Sequence, residues 1–298
     1  MSLLRIATCA SADQPKRKAV ATTAAAVVMV GALATGTLHF GNARAADNVP
    51  PIGGDYAGGA NVVAIPTDDP EVKVISGALF KPSETGPFPA VIYMSGCAGL
   101  GPPSEVAMEK VVIDHMLSKG VATLIVDPFT PRHEDQGVCD KAGAGPEVYI
   151  RGVKDVHAAR NLLAKMPDID QKHVFLQGYS YGAIISLMAT DAANAASADI
   201  GVAGVVAYYP YCGPASARRA VPTLVLIGDK DDWTPAKLCE AIPDKANLEI
   251  VVYPDATHGF AMPMDQPVDY MGHHIAYDDK ATKDAQGRVD TFMAAHMK

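Results

Sequence analysis

The amino-acid sequence predicts an α/β protein built on a mostly parallel central sheet with helices on both faces. Three observations carry this prediction. Short, mostly apolar runs recur at residues 88–94, 121–126, 202–209, 223–227 and 248–253, and strands covered on both faces read this way. Helical patterns lie between several of these runs, so strand and helix alternate along one chain. Glycine-bearing polar stretches follow the carboxyl ends of several runs, where an open parallel sheet presents its ligand site.

The first 45 residues stand apart from this pattern. Lys16-Arg17-Lys18 precedes a charge-free stretch from Ala19 to Leu38, and Ala43-Arg44-Ala45 follows. A basic cluster, an apolar segment and small residues at both positions read by a signal peptidase, in that order, make residues 1–45 a signal peptide cleaved after Ala45. The charge-free stretch is long enough to span a bilayer. It is built mostly of Ala, Thr and Gly rather than Leu and Ile, which favours cleavage over an anchor. The reading is therefore a periplasmic or secreted chain with no stable membrane insertion after cleavage.

Composition bounds the partners. The full chain carries a formal net charge of −8. The leader holds five basic residues and one acidic one, which leaves the mature chain at −12. Such an acidic chain is a poor partner for nucleic acid or an anionic membrane surface. Four cysteines lie outside the leader: Cys97, Cys139, Cys212 and Cys239. An even number in an exported chain points to disulfides, with three pairings possible. No Cys-x-x-Cys or Cys/His spacing suggests a zinc site. The adjacent His273-His274 reads as loop surface, because neighbouring rings diverge on regular structure. No metal or organic cofactor is implied.

Taken in order, residues 46–69 are a flexible lead-in, rich in Gly and Pro over their first part, and residues 70–298 form one domain. Residues 72–82 are extended and end at a proline. The run 88–94 is a buried strand, followed by the glycine-rich loop Gly96-Cys97-Ala98-Gly99-Leu100-Gly101. A helix over 104–119 stops at Gly120, and strand 121–126 ends at Asp127-Pro128. A polar loop leads to a helix over 146–165 with Val148, Val153, Val156 and Leu163 on one broad face. The run 173–176 then enters Gly178-Tyr179-Ser180-Tyr181-Gly182, and a small-residue helix leaves it. Strands at 202–209 and 223–227, a short helix near Pro235, strand 248–253 and an amphipathic helix over 278–296 complete the domain. Only residues 211–221 separate the apolar runs at 202–209 and 223–227, too few for an inserted domain, so no cap domain is expected.

Gly-x-Ser-x-Gly at a strand-to-helix corner is the context a nucleophile elbow requires. The serine must project from a strained turn, and side chains two residues to either side would collide with the neighbouring strand and helix. Downstream strand ends carry Gly228-Asp229-Lys230-Asp231-Asp232-Trp233 and Pro254-Asp255-Ala256-Thr257-His258-Gly259. Ser, Asp and His thus occur in the chain order used by hydrolases of this architecture. A serine hydroxyl needs a base within hydrogen-bond reach, and an imidazole is suited to that task. Ser180 is the candidate nucleophile and His258 the base, with His273 and His274 as fallbacks. Asp231 is the acid, with Asp232 and then Asp229 as alternatives; the two unused carboxylates are expected to cap the following helix. Two backbone N–H groups should hold the oxyanion, those of Tyr181 and of Cys97 in the glycine loop. That loop is G-x-x-G-x-G with no Gly-Lys-Ser/Thr, which argues against a nucleotide site.

These motifs resemble the dienelactone hydrolase family of the α/β-hydrolase fold. The likeness covers roughly residues 70–297 and rests on Ser95-Gly96-Cys97-Ala98-Gly99, Gly178-Tyr179-Ser180-Tyr181-Gly182, Gly228-Asp229-Lys230-Asp231-Asp232-Trp233-Thr234-Pro235 and His258-Gly259-Phe260. The chain departs from the family pattern twice. The founding enzymes use a cysteine where this chain has Ser180, and many relatives have His where it has Ser95. Both departures put dienelactone itself in doubt as the substrate. In this fold Cys97 and Cys139 follow neighbouring strands, as do Cys212 and Cys239, so the resemblance implies the pairs 97–139 and 212–239.

The resemblance implies hydrolysis of carboxylic esters or lactones through an acyl-enzyme, with a small-molecule substrate. A serine peptidase or acyltransferase on the same fold, or a binding protein without turnover, is the alternative. Trp233, the elbow residues Tyr179 and Tyr181, Phe129 and Phe260 are expected at the pocket. The segment 259–277 is a loop able to cover the acyl group. Arg132 is a candidate partner for a substrate carboxylate.

Overall fold

The structure, a computed structural model, describes residues 49–54, 56, 60–143, 145–193, 200–213 and 218–298. The predicted leader lies outside the described residues. The apolar runs do become strands. In chain order they are β1 (Asn61–Pro66), β2 (Val74–Phe80), β3 (Phe88–Met94), β4 (Ala122–Asp127), β5 (Ile169–Tyr179), β6 (Gly204–Tyr208), β7 (Thr223–Gly228) and β8 (Leu248–Tyr253). They form one sheet in the order β1-β2-β4-β3-β5-β6-β7-β8. β1 and β2 pair antiparallel, as do β2 and β4; every other pairing is parallel. β3, β4, β6, β7 and the second half of β5 are almost wholly buried, which is why they read as apolar runs rather than alternating ones.

The helices are α1 (Pro103–Ser118), α2 (Glu147–Leu163), α3 (Tyr181–Ala189), α4 (Ala236–Glu240) and α5 (Asp279–Ala295). Successive residues of a strand point to opposite faces, and β5 shows which helices cover each. Gly178 abuts the first turn of α3, while its neighbours Gln177 and Tyr179 line a small cavity together with Met108 and Val112 of α1 and Val289 of α5. α2 packs beside α3, where Tyr181 donates its hydroxyl hydrogen bond to the Val148 carbonyl at 2.9 Å. α1 and α5 share the other face, joined by His115 and Asp290 at 2.6 Å.

Two segments differ from the sequence reading. The lead-in contains a strand, β1, and is tied to the domain: Ser76 Oγ donates to the Pro50 and Pro51 carbonyls, and the Gly53 amide to Asp127 Oδ2 at 2.6 Å. Its glycines and prolines signal a loop, but pairing to β2 supplies backbone partners that local composition does not reveal. The segment 259–277, read as a loop, carries a hairpin of β9 (Val268–Tyr270) and β10 (His273–Ile275). The β6–β7 connection spans only residues 209–222, too short for a cap domain.

Candidate active site

The carboxyl ends of β3, β5, β6, β7 and β8 converge on one cavity of about 510 Å³. At its floor β5 turns sharply into α3. Ser180, the residue at the corner, has φ 49° and ψ −112°, a backbone region costly for a side-chain-bearing residue. Its amide donates to the Tyr208 carbonyl at 3.0 Å and its carbonyl opens α3 by accepting from the Ile184 amide at 3.0 Å. The flanking glycines are steric necessities. A Cβ on Gly178 would overlap the Gly182 carbonyl, and one on Gly182 would overlap the Met94 carbonyl of the adjacent strand.

Ser180 Oγ lies 2.9 Å from His258 Nε2, and His258 Nδ1 lies 2.9 Å from Asp231 Oδ2. A carboxylate only accepts hydrogen bonds, so Nδ1 carries the proton and Nε2 is left to accept from the Ser180 hydroxyl. His258 and Asp231 are almost wholly buried. The imidazole sits between Tyr209 and Trp233, with ring centroids at 4.8 and 5.0 Å. Asp231 is fixed from every side. Its Oδ1 accepts the Trp233 and Thr234 amides at 3.0 and 2.7 Å, and its Oδ2 accepts the Thr234 hydroxyl at 2.8 Å. Asp231, ranked ahead of Asp232 and Asp229 by its spacing from the strand end, is the one whose carboxylate the loop turns toward His258. Asp232 is instead exposed and pairs with His273 Nδ1 at 3.1 Å, and Asp229 accepts the Asp255 amide at 2.7 Å. Neither caps α4, contrary to expectation, because the turn amides are taken by Asp231 itself.

The glycine loop after β3 forms the wall facing Ser180. Gly96 and Cys97 line the cavity, and Tyr181 is the first residue of α3, whose amide has no intrahelical acceptor at that position. The Cys97–Cys139 disulfide ties this loop to the β4–α2 connection, and the Val138 amide donates to the Cys97 carbonyl at 2.7 Å. The second disulfide joins Cys212 to Cys239. Both pairings are those the resemblance implied.

Of the six residues expected at the pocket, two line the cavity and four do not: Tyr181 turns its hydroxyl to the Val148 carbonyl, Phe129 is buried against the Tyr181 ring, and Phe260 and Arg132 also lie outside it. Trp233 and Tyr179 line it. Phe260 is fully buried behind the site, edge-on to Tyr209 at 5.6 Å. Arg132 is a correction. Its guanidinium makes two bonds of 2.9 Å to Asp155 and one of 3.1 Å to Asp69, and its side chain is 4% exposed. Satisfied carboxylates on both sides leave it nothing to offer a substrate anion. His273 is not simple loop surface either: it stands on β10 and stacks on Trp233 at 4.6 Å. Met262 and Met264 line the cavity together with Val268 and Tyr270 of the hairpin, so the segment 259–277 does reach the site.

Sequence reasoning missed Thr234, Tyr209 and Glu105. Glu105 and Glu109 lie one turn apart on the face of α1 that also carries Met108 and Val112, and acids inside an apolar stripe were the available signal. Burial pushes the Glu105 carboxyl up to about 7. Burial likewise pushes Glu109 up to about 8, opposed by the hydrogen bond from the Tyr56 hydroxyl and reinforced by nearby Glu105 and Asp127.

The comparisons agree with this geometry. The family model described as the dienelactone hydrolase family matches residues 75–297. No curated protein matches the chain. Among solved structures, a dienelactone hydrolase-like promiscuous phosphotriesterase from metagenomic libraries superposes with TM-score 0.62 at 18% identity, covering 80% of this chain and 99% of that one. A thermophilic esterase of the planctomycete Thermogutta terrifontis, with propionate bound, superposes with TM-score 0.57 at 14% identity, covering 80% and 94%. At these identities the structures speak to the fold, while the family match spans most of the chain. The chain belongs to the dienelactone hydrolase family of the α/β-hydrolase fold, a family of ester-cleaving hydrolases.

Proposed function

We propose that this chain is an exported serine hydrolase that cleaves carboxylic esters or lactones through an acyl-enzyme. The observation that carries the reading is the unbroken chain of hydrogen bonds from Ser180 through His258 to Asp231, opening onto the cavity. Ser180 Oγ attacks the substrate carbonyl as His258 Nε2 takes its proton. Buried Asp231 holds the imidazole in the reactive tautomer and stabilises the imidazolium that forms. The Cys97 and Tyr181 amides donate to the oxyanion, aided by the positive end of α3. His258 returns the proton to the leaving alcohol, and water then hydrolyses the ester at Ser180 with His258 as base. The strained backbone at Ser180 supports turnover over mere binding, because such a conformation costs about 1–3 kcal/mol and is kept where geometry matters.

Export fits the two disulfides, which persist in oxidising compartments, and among the described residues no helix is long and apolar enough to cross a membrane. Cleavage after Ala45 would leave residues 46–298 as the mature chain. The test is a fluorophosphonate probe with the purified mature protein, alongside Ser180→Ala and a short-chain aryl ester. Labelling and turnover that both vanish in Ser180→Ala support the acyl-enzyme, and an unlabelled wild type refutes it. Added alcohol or amine acceptors distinguish acyl transfer, and peptide substrates distinguish a peptidase.

A further inference from the structure

The cavity holds a polar side chain that the hydrolytic relay does not use. Glu105, in the first turn of α1, lines the cavity although it is only 4% exposed. Its Oε2 is buried with no hydrogen-bond partner among the described residues. It stands close to the reacting centre: the point where a Cβ on Gly96 would sit is 3.1 Å from Glu105 Oε1 and 4.0 Å from Ser180 Cβ. An unpaired carboxylate in such a place is strongly disfavoured, and the group holds its proton instead. Its neighbours do nothing to offset this. The titratable groups that interact electrostatically with it are Glu109 on α1, Tyr56 in the lead-in, Tyr93 on β3, Tyr179 on β5 and Tyr209 after β6, and none is a cation. Across the cavity stand His258 and Asp135, and no lysine or arginine lines the cavity among the described residues.

We propose that Glu105 is the specificity-determining residue of this cavity, presenting its carboxyl O–H to an acceptor oxygen of an uncharged ester or lactone. The inference rests on the hydrolase reading above. It also excludes substrates bearing a carboxylate, because that charge would enter a buried site that has acidic groups and, among the described residues, no lysine or arginine to pair with it. A substrate ether, hydroxyl or ring oxygen near the scissile carbonyl gives Glu105 the partner it lacks. Once Glu105 ionises, as it begins to near pH 7, that donor is lost and its charge opposes the developing oxyanion.

Three aryl esters test this: p-nitrophenyl butyrate, p-nitrophenyl methoxyacetate and mono-p-nitrophenyl succinate, each normalised to its uncatalysed hydrolysis rate. The wild type is expected to turn over the succinate at least about 10-fold more slowly, in kcat/KM, than the methoxyacetate. Glu105→Leu is expected to raise KM for the methoxyacetate roughly 3–10-fold, the worth of one hydrogen bond, with a smaller change for the butyrate. Glu105→Gln, which keeps an uncharged donor, should keep the methoxyacetate preference and lose the decline in kcat/KM above about pH 7. Equal turnover of succinate and methoxyacetate, equal KM shifts for both neutral esters in Glu105→Leu, or a persisting alkaline decline in Glu105→Gln would each overturn the proposal. Should Glu105→Leu not fold, the pH profile of Glu105→Gln decides. Fluorophosphonate labelling of the same samples separates the two readings: absent labelling of the wild type overturns the hydrolase assignment, whereas full labelling with any of the three adverse results overturns Glu105 alone.

Discussion

Replacing Asp231 by asparagine tests the relay where the structure constrains it most. Asp231 Oδ1 accepts two backbone amides, and Oδ2 accepts the Thr234 hydroxyl and His258 Nδ1–H. In the variant the amide oxygen must take the Oδ1 place, since an –NH₂ cannot accept from the Trp233 and Thr234 amides. The –NH₂ then faces His258 Nδ1, 2.9 Å away in the wild type. Nδ1 is forced to accept, the imidazole proton moves to Nε2, and Ser180 meets a donor where it needs a base. Loss of the correct tautomer lowers kcat by about 10⁴-fold, equivalent to about 5 kcal/mol of transition-state stabilisation. The fold should persist, because the two amide bonds survive. The assay is steady-state hydrolysis of a short-chain aryl ester, with the rate of fluorophosphonate labelling and the thermal midpoint measured on the same samples. Asp232→Asn is the control, expected to stay within about 2-fold, since surface polar changes away from the relay have small effects. A fall of less than 10-fold in Asp231→Asn, with an unchanged melting midpoint, would refute the tautomer argument and the role given to Asp231.

Further expectations concern stability. Arg132→Ala leaves Asp155 buried without its partner and should cost roughly 3–5 kcal/mol in denaturant unfolding, with no change in substrate charge preference; a lost preference would restore Arg132 to the site. Asp155, pushed up to about 6 mainly by burial, should rise further in that variant because Arg132 opposes the shift. The carboxyls of Glu105 and Glu109 are held above their ordinary value of 4.5, at about 7 and about 8. Their contribution is therefore fully present below about pH 4.5 and is lost as pH rises through 7 to 8. The double variant Glu105→Gln/Glu109→Gln should flatten that decline in melts between pH 5 and 8, and an identical slope would refute the assignment. Cys139→Ser, which keeps the Cys97 backbone, should lose about 2–4 kcal/mol. It should also slow turnover, because the loop holding the Cys97 amide loses its tether; unaltered kcat at reduced stability would limit the disulfide to a structural role.

Most of the architecture was legible because its signals are local. Unbroken apolar runs such as residues 88–94 and 223–227 have no face to spare for water, so they predict a covered parallel sheet. Gly178 and Gly182 are required by contacts that follow from the turn itself, so the elbow could be read with its candidate nucleophile. The order of Ser180, an acid and His258 along the chain was likewise visible. Local composition misled at β1, whose partner β2 is set by pairing rather than by its own residues, and in the segment 259–277, where the β9–β10 hairpin is short and solvent-exposed.

The sequence alone determined the fold class and singled out the candidate nucleophile and base, because strand ends of a parallel sheet converge and few residues there can do chemistry. Spacing ranked Asp231 ahead of Asp232 and Asp229, but only the tertiary structure shows its carboxylate against His258, because the loop points the other two elsewhere. It also removed Arg132 from the site and brought Glu105 into it. Both outcomes turn on whether a charge meets a partner across the fold: Arg132 is satisfied by Asp155 and Asp69 from distant segments, whereas Glu105 Oε2 is buried with no partner among the described residues.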